Sequence, residues 1–262
     1  MSLLDPLTHA LAAVLATAHA ALTSAGADPT SGPTWVLSIA AVVVVVRVAL
    51  LPLVVHNVRN AHASARARPQ LDDLAKRYRH RKDAASVRAM MDEQRRIKAQ
   101  HGVSSWGCLS VLAQLPVWVA LYQLLSNVAI GHSVGAMTAG LVASLGGASV
   151  LGVHLAERGY FGAGVSHLAV VAGLACLAAV LSFVTQKFLV LPNTVTTAMP
   201  DSLFQAQHFM PALAAVSLLV AGGIVPVALI VYWVFNTGWT SIQSAVVWRW
   251  FPTPGTAAAA RS

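Results

Sequence analysis

Long apolar stretches alternate with a single strongly polar segment along this chain of 262 residues. Five of the stretches approach or exceed the roughly 20 apolar residues that cross a bilayer as a helix. They cover residues 35–55, 106–128, 166–188, 209–222 and 225–248. The last two are separated by the sequence GGIVP, which is typical of a reversal of direction. The pattern predicts an all-α polytopic membrane protein with five transmembrane helices.

The polar segment, residues 56–105, predicts a helical hairpin outside the bilayer. Pro69 suits the start of a first helix, because its fixed φ angle and missing N–H are tolerated there. Asp83 can cap a second helix, since its carboxylate can accept hydrogen bonds from free backbone N–H groups. Apolar residues recur thinly on both helices, so they can pack together along a narrow seam.

Charge predicts the orientation of the chain. Only 10% of the residues are charged, yet the formal net charge is +8. With the N-terminus outside and five spans, 15 Lys and Arg residues lie on the cytoplasmic side, and outside there is only Arg158. Basic loops remain cytoplasmic. The hairpin and the short tail, residues 251–262, are therefore predicted to be cytoplasmic.

Two further segments lie outside the predicted spans. Residues 1–34 are expected to be extracytoplasmic and to include an interfacial helix, because leucines recur there at helical spacing and no basic n-region precedes them. Residues 129–156 are uncharged but rich in glycine. A loop or interfacial segment is favoured for them over a sixth span.

Polar side chains interrupt the spans at a few positions. Arg47 lies within the first span, Gln114 near the start of the second, and Gln186 at the end of the third. The last span carries four polar residues at steps of four, four and three, on one helical face: Tyr232, Asn236, Thr240 and Gln243. In the predicted orientation all these positions fall in the cytoplasmic leaflet. They predict a hydrated groove that opens to the cytosol.

Arg47 is the candidate binding residue of this groove. A central arginine costs about 2.5–3.5 kcal/mol on insertion scales, and such residues generally face protein or water. No Asp or Glu occurs in any predicted span to neutralise it, so it is available to a visiting anion. The alternative is that its side chain merely snorkels toward the polar boundary.

A set of short motifs follows in order along the chain: Arg47 with Leu51-Pro52-Leu53, Pro69-Gln70-Leu71, Gly107-Cys108-Leu109, Gln114-Leu115-Pro116, Thr185-Gln186-Lys187, Met210-Pro211, and Pro226 through Tyr232-Trp233, Asn236, Trp239 and Gln243. In this order the motifs resemble the YidC/Oxa family of membrane protein insertases, in a compact form without a large extracytoplasmic domain. The resemblance covers about residues 35–250.

The resemblance implies a five-helix insertase core with a cytoplasmic hairpin and a groove open to cytosol and lipid. It implies that Arg47 attracts polar parts of an incoming protein, and that Gln186 and Trp233 line the groove with Gln114, Asn236 and Thr240. The implied location is the bacterial plasma membrane. Nascent membrane proteins and membrane lipids are the implied partners, and the Sec translocon and the ribosome are further candidates. We expect a monomer that binds no specific nucleic acid.

No nucleotide-binding motif, metal cluster or credible nucleophile occurs, so the sequence predicts a protein that is not an enzyme and uses no cofactor and no metal. Two alternatives stay open: a transporter of small anions and a structural subunit of a membrane complex. The predicted fourth span has 14 residues, or about 21 Å of helix against a hydrocarbon core of about 30 Å. So short a span is expected to thin the bilayer locally.

Overall fold

A computed structural model describes residues 4–80, 83–104, 109–161, 164–194 and 201–260. Nine α-helices make up most of this described part: α1 (Asp5–Ser24), α2 (Gly32–Ala49), α3 (Leu51–Tyr78), α4 (Ala84–Gln100), α5 (Leu109–Ala129), α6 (Ala139–Gly147), α7 (Val165–Val184), α8 (Asp201–Gly222) and α9 (Val227–Trp250). The remaining elements are a two-stranded antiparallel hairpin, a π-helical segment and a 3₁₀ turn: β1 (Ser149–Val150) with β2 (Val153–His154), Thr185–Val190, and Leu191–Asn193. The predicted all-α class is confirmed.

The chain divides into two compact units. The first contains the residues up to Leu50 together with Val111–Phe183 and Ala212–Thr240, and the second contains Leu51–Ser110, Val184–Pro211 and the residues from Ser241 onward. The main apolar core lies in the first unit, where Trp35, Leu124 and Ile230 are fully buried. The second unit has a smaller core between α3 and α4.

In the described part of the chain, three helical stretches are long and apolar enough to cross a membrane: Asp5–Ser24, Gly32–Ala49 and Val165–Asn193. Gln207–Gly222 is a shorter apolar helix. The count of five transmembrane helices therefore remains a prediction. Trp106, the predicted start of the second span, lies outside the described residues.

The N-terminal helix α1 packs along α2. Its buried residues include Leu11, Ala12 and Leu15, which join the core of the first unit. The predicted helix is present, but by length and composition it can also cross a membrane, because no charged residue occurs between Asp5 and Asp28. Its interfacial placement remains a prediction.

A buried cluster joins the ends of α1 and α2. The His19 ring stacks on Trp35 with their centroids 4.0 Å apart, and its Nε2 donates to the Pro29 carbonyl at 3.0 Å. The Trp35 indole N–H donates to Ser144 Oγ at 3.1 Å, and Ser144 donates to the same Pro29 carbonyl at 2.8 Å. The polar atoms of this buried end are thus satisfied.

Residues 129–156 fold onto the first unit. Their helix, α6, has nine residues, which corresponds to about 13 Å and is too short for a span of about 30 Å. Met137, Leu145 and Leu155 are completely buried. This agrees with the prediction of a loop or interfacial segment in preference to a sixth span.

The segment that follows fixes the start of α9. The backbone N–H groups at the start of a helix have no partner within the helix. Here Val227 N–H donates to the Glu157 carbonyl and Ala228 N–H to the Leu155 carbonyl, both at 2.9 Å. Gly159 packs so closely on the α8–α9 turn that a Cβ atom there would come within 2.6 Å of the Gly223 oxygen. The predicted break between the last two apolar stretches is present, since α8 ends at Gly222 and α9 begins at Val227; their opposite directions across a membrane remain a prediction.

The hairpin of the second unit is formed by α3 and α4. Its seam buries Ala67, Leu74 and Ile97. Asp83 caps α4 as predicted, since its Oδ2 accepts the Ser86 N–H at 2.8 Å. The prediction that Pro69 starts a helix is wrong: α3 runs continuously from Leu51 and contains it. Proline removes only one helical hydrogen bond, and the neighbouring turns of a 28-residue helix maintain its path.

The helix α8 is longer than the apolar stretch that predicted it. The helix has 22 residues, or about 33 Å, and begins at Asp201 and not at Phe209. Pro211 lies inside it, so the proline does not mark a boundary. Its described apolar part, Gln207–Gly222, is nevertheless short, so the thinning of the bilayer by a short fourth span stays a prediction.

Glu157 provides a test of the loop that anchors α9. Its Oε1 lies 2.8 Å from Nδ1 of His154, and its Oε2 lies 2.6 Å from Nδ1 of the buried His167. The hydrogen bond from His154, followed by the contacts with His167, lowers the pKa of Glu157 below its ordinary value of 4.5. A carboxyl with a lowered pKa stabilises the fold above its unfolded-state pKa, and this stabilisation is lost as the pH falls through the folded-state value.

We expect Glu157→Gln to lower the thermal unfolding midpoint at neutral pH by about 2 °C. The difference from the unsubstituted protein should vanish as the pH falls below 4.5 and through the lowered pKa. Unfolding of the detergent-purified protein across this range measures both effects. Asp92→Asn, which removes the exposed partner of Arg95, is the control and should change little. A pH-independent difference for Glu157→Gln contradicts the electrostatic account.

Candidate functional site

Arg47 lies in the last turn of α2 and is only 9% exposed. Its Nε and Nη2 donate to Asn236 Oδ1 at 3.2 and 2.7 Å. Nη2 also donates to Thr240 Oγ1 at 2.8 Å. The guanidinium is thus held by an amide and a hydroxyl from one face of α9.

The two partner residues are positioned by α9 itself. Asn236 and Thr240 are four residues apart, so they lie one above the other on the helix. The Thr240 hydroxyl donates to the Asn236 backbone carbonyl at 2.8 Å. Its oxygen is therefore left to accept from Arg47. This orientation is set by the helix backbone and needs no further side chain.

A cavity of about 250 Å³ lies beside the guanidinium. Residues from α2, α5 and α9, together with Leu50, line it: Val46, Arg47, Leu50, Gln114, Leu115, Val117, Trp118, Tyr232 and Asn236. Most of this lining is apolar, and its polar groups converge from three helices. Such a combination is typical of sites that bind and orient a ligand.

The site keeps its positive charge. In the described part of the chain, Arg47 forms no ion pair, and its Nη1 makes no hydrogen bond. Asn236 and Thr240 are neutral, so they stabilise the cation without cancelling it. At an effective dielectric constant of about 20, a carboxylate 4 Å away would interact with this charge by about 4 kcal/mol.

The structure brings four of the six predicted site residues together. Arg47, Gln114 and Asn236 line one cavity, and Thr240 bonds to Arg47. Trp233 is 5% exposed in the apolar core and is not among the residues that border this cavity, so its predicted lining role stays a prediction. Gln186 lies in the second unit with an exposed side chain. The binding role of each residue remains a prediction.

Tyr232 and Trp118 are cavity residues that were not among the predicted site residues. Tyr232 precedes Asn236 by four positions, so the polar face of α9 already contained the signal. Trp118 follows Gln114 by the same interval on α5. The helical spacing of known lining residues would have found both.

Gln186 lies on the π-helical segment Thr185–Val190. Short π-helical stretches are rare, and those that interrupt α-helices are often found at functional sites. Here the segment is tied to the second part of α9, because buried Thr185 and Ser241 share a hydrogen bond of 2.6 Å. Gln186 is thus exposed beside a fixed, buried threonine.

In the described part of the chain, no group of three or more His, Cys, Asp or Glu side chains is placed to hold a metal ion. Among the residues that the structure describes, apolar helices carry a largely buried arginine whose hydrogen-bond partners are neutral. The chain is therefore a multi-pass membrane protein with a cationic site among its helices. Residues 27–254 match the family model described as 60Kd inner membrane protein. The chain belongs to this family.

Its relatives carry one name repeatedly. A protein of Streptomyces avermitilis named membrane protein insertase YidC is 30% identical over 245 residues, which cover 90% of this chain and 55% of the relative. Proteins of the same name from Tropheryma whipplei and Bifidobacterium longum are each 26% identical, over 98% and 87% of this chain and over 87% and 70% of the relative. The chain thus spans little more than half of the Streptomyces protein. The relatives support a multi-pass protein of the bacterial membrane.

The contact between Arg47 and Asn236 can be tested by a double-mutant cycle. Asn236→Leu removes the oxygen that accepts two hydrogen bonds from the cation. We expect it to lower the free energy of unfolding by about 2 kcal/mol, because hydrogen bonds to charged groups contribute about 1.5–3 kcal/mol. In the background of Arg47→Leu, the same substitution should cost much less.

Unfolding of the four proteins in detergent measures the coupling. Ile242→Ala is the control, since Ile242 lies on the same helix with its side chain 68% exposed, and its effect should be the same in both backgrounds. Additive effects of Arg47→Leu and Asn236→Leu would show that the two side chains do not interact.

Proposed function

We propose that the chain is a membrane protein insertase that receives polar segments of nascent membrane proteins at Arg47. The observation that carries the proposal is a buried arginine that borders a cavity and whose partners among the described residues are all neutral. The insertase names of the relatives supply the reaction class. The proposal requires no chemical step, which agrees with the prediction of a protein that is not an enzyme.

In this mechanism a client carboxylate exchanges places with the neutral partners of Arg47. The attraction is stronger near apolar walls than in water, because the effective dielectric constant is lower there. The guanidinium is suited to this contact, since its planar fork matches both oxygens of a carboxylate. Arg47 thereby holds the client's polar segment before the client's apolar helix enters the lipid.

Release follows from the hydrophobic effect. The apolar helix of the client gains free energy as its surface leaves water, at about 25 cal/mol for each Å². A helix of about 20 residues buries enough surface to outweigh the single ionic contact at Arg47. Insertion can therefore proceed without a nucleotide or a covalent intermediate.

The finer topology forms part of the proposal. We assign five spans, an external N-terminus and a cytoplasmic hairpin, α3–α4, on the strength of the basic residues concentrated in 56–105. In this arrangement the cavity at Arg47 is reached from the cytosol, and Gln186 keeps its predicted role as a client-binding residue. The hairpin is then the surface nearest to the translocon or the ribosome, and the active form is a monomer.

Insertion assays with Arg47→Ala test the ionic contact. We expect a client with an acidic translocated segment to insert about tenfold more slowly, which corresponds to about 1.4 kcal/mol of lost attraction. The same client with Asn and Gln in place of Asp and Glu should be much less affected. Arg47→Lys, which keeps the charge but loses the planar fork, should fall between the two.

Proteoliposomes that contain the purified protein and a fluorescent client measure these rates. Thermal unfolding of each variant controls for folding. An equal loss for acidic and neutral clients would make Arg47 a structural residue and contradict the proposed contact. Loss of anion uptake with unchanged insertion would favour the transporter alternative.

Site-specific crosslinking tests which side chains meet the client. A photoreactive residue at Trp118 borders the cavity and is exposed, so it should label chains that emerge from stalled ribosomes. The same probe at the buried Trp233 should label them at least about tenfold less, because core packing excludes a client there. A probe at Gln186 tests the role assigned to that residue. Equal labelling from Trp118 and Trp233 would contradict entry at this cavity.

A further inference from the structure

A second cavity, of about 440 Å³, lies within the second unit. It is bordered by one face of α3 and by the loop after α4: His56, Arg59, Asn60, His62, Ala63, Arg66, His101, Gly102 and Ser104. Its volume is within the range of about 300–1,000 Å³ that is common for sites of small ligands. The proposed function gives this cavity no role.

The wall on α3 follows helical spacing. His56, Arg59, Ala63 and Arg66 recur at intervals of three or four residues and therefore share one face. Ala63 is 4% exposed and has no side chain beyond its Cβ atom. The longer basic side chains thus surround a recess with a small residue at its base.

The opposite wall is tied to α3. Ser104 N–H donates to Asn60 Oδ1 at 2.8 Å, and Val103 packs on the seam between α3 and α4. His101 and Gly102 are held between this anchor and the end of α4. The cavity is therefore formed by a fixed loop and does not depend on a chance approach of two side chains.

The recess is cationic. Its lining includes two arginines and three histidines but no Asp or Glu. Elsewhere in the hairpin, Arg68, Arg95 and Arg96 each pair with an acidic residue three or four positions away. In the described part of the chain, neither Arg59 nor Arg66 forms such a pair. An arginine that is not paired with a carboxylate favours phosphate, because its planar fork can bind a phosphate through two parallel hydrogen bonds.

The beginning of α3 indicates where the phosphate comes from. Residues 51–55 read LPLVV, and Leu51 and Val55 expose large apolar side chains. His56 follows directly, about 8 Å along the helix from Leu51. The polar headgroup layer on each side of a bilayer is about 5–8 Å thick. With 51–55 at the hydrocarbon boundary, His56 and Arg59 lie at the level of lipid phosphates.

We infer that the cavity between α3 and the 101–104 loop binds the phosphate of an anionic phospholipid headgroup. Arg59 and Arg66 provide the charge, and the three histidines and Asn60 border the rest of the headgroup. Basic segments beside a membrane attract anionic lipids in general. A recess of defined shape can select one headgroup, whereas a diffuse basic surface attracts any anionic lipid. This inference does not rest on the proposed insertase activity.

Native mass spectrometry of the full chain in detergent tests the inference. With phosphatidylglycerol and phosphatidylcholine as probes, the unsubstituted protein should retain the anionic lipid preferentially. Arg59→Gln with Arg66→Gln should weaken retention of phosphatidylglycerol by about tenfold, because both pocket charges are lost. Arg59→Lys with Arg66→Lys keeps the charges and should retain most of the binding.

The matched control is Arg79→Gln with Arg88→Gln, which removes the same charge from exposed positions of the hairpin outside the cavity. It should bind phosphatidylglycerol as the unsubstituted protein does. Equal losses in the two glutamine variants would show diffuse attraction and overturn the inference. So would displacement of the lipid by an equal concentration of inorganic phosphate or of a short RNA. Should the double glutamine variant fail to fold, Arg66→Gln alone replaces it, with an expected loss of about threefold.

Discussion

The contact of Arg47 with Asn236 and Thr240 is the constraint on which the first unit depends. It places a permanent cation in the last turn of a valine-rich helix, where insertion scales assign a cost of about 2.5–3.5 kcal/mol. Two neutral oxygens stabilise the cation, and both come from one face of α9. The start of α9 is fixed as well, because the carbonyls of Leu155 and Glu157 accept hydrogen bonds from its first backbone N–H groups. The guanidinium is therefore positioned by two side chains that α9 holds on one face.

The two units treat positive charge differently. In the first, Arg47 is 9% exposed, and its partners among the described residues are dipoles. In the second, Arg59 and Arg66 are exposed on α3 and share their recess with three histidines. Burial strengthens an ionic contact but limits access, whereas exposure permits access at the cost of screening. The first arrangement suits one selective contact with a carboxylate, and the second suits a headgroup that is always present nearby.

Local patterns predicted most of the fold. Apolar length and periodicity predicted the all-α class, GGIVP predicted the break between α8 and α9, and Asp83 predicted the cap of α4, because each of these signals acts within a few residues. Pro69 was wrongly predicted to start a helix, and α8 begins before the apolar stretch that predicted it. A long helix tolerates an internal proline when its neighbouring turns are satisfied, and sequence alone does not reveal this. Spacing likewise predicted that Asn236 and Thr240 share one face of α9, and both contact Arg47. Tyr232 and Trp233 are equally buried in the apolar core, but Tyr232 also borders the cavity, a difference that helical spacing alone does not reveal.

The identity of residue 236 decides whether Arg47 can accept a visitor. A carboxylate at this position would form a buried ion pair, and breaking such a pair costs about 3–5 kcal/mol. That cost would cancel the attraction of about 4 kcal/mol which a client carboxylate offers. With asparagine, the exchange gives up hydrogen bonds to neutral groups, and the client carboxylate replaces them with charge-assisted bonds, which are roughly twice as strong. A client can therefore bind in the proposed function without first breaking a buried ion pair. The neutral partners thus stabilise the buried cation while no client is bound, and a client carboxylate can take their place.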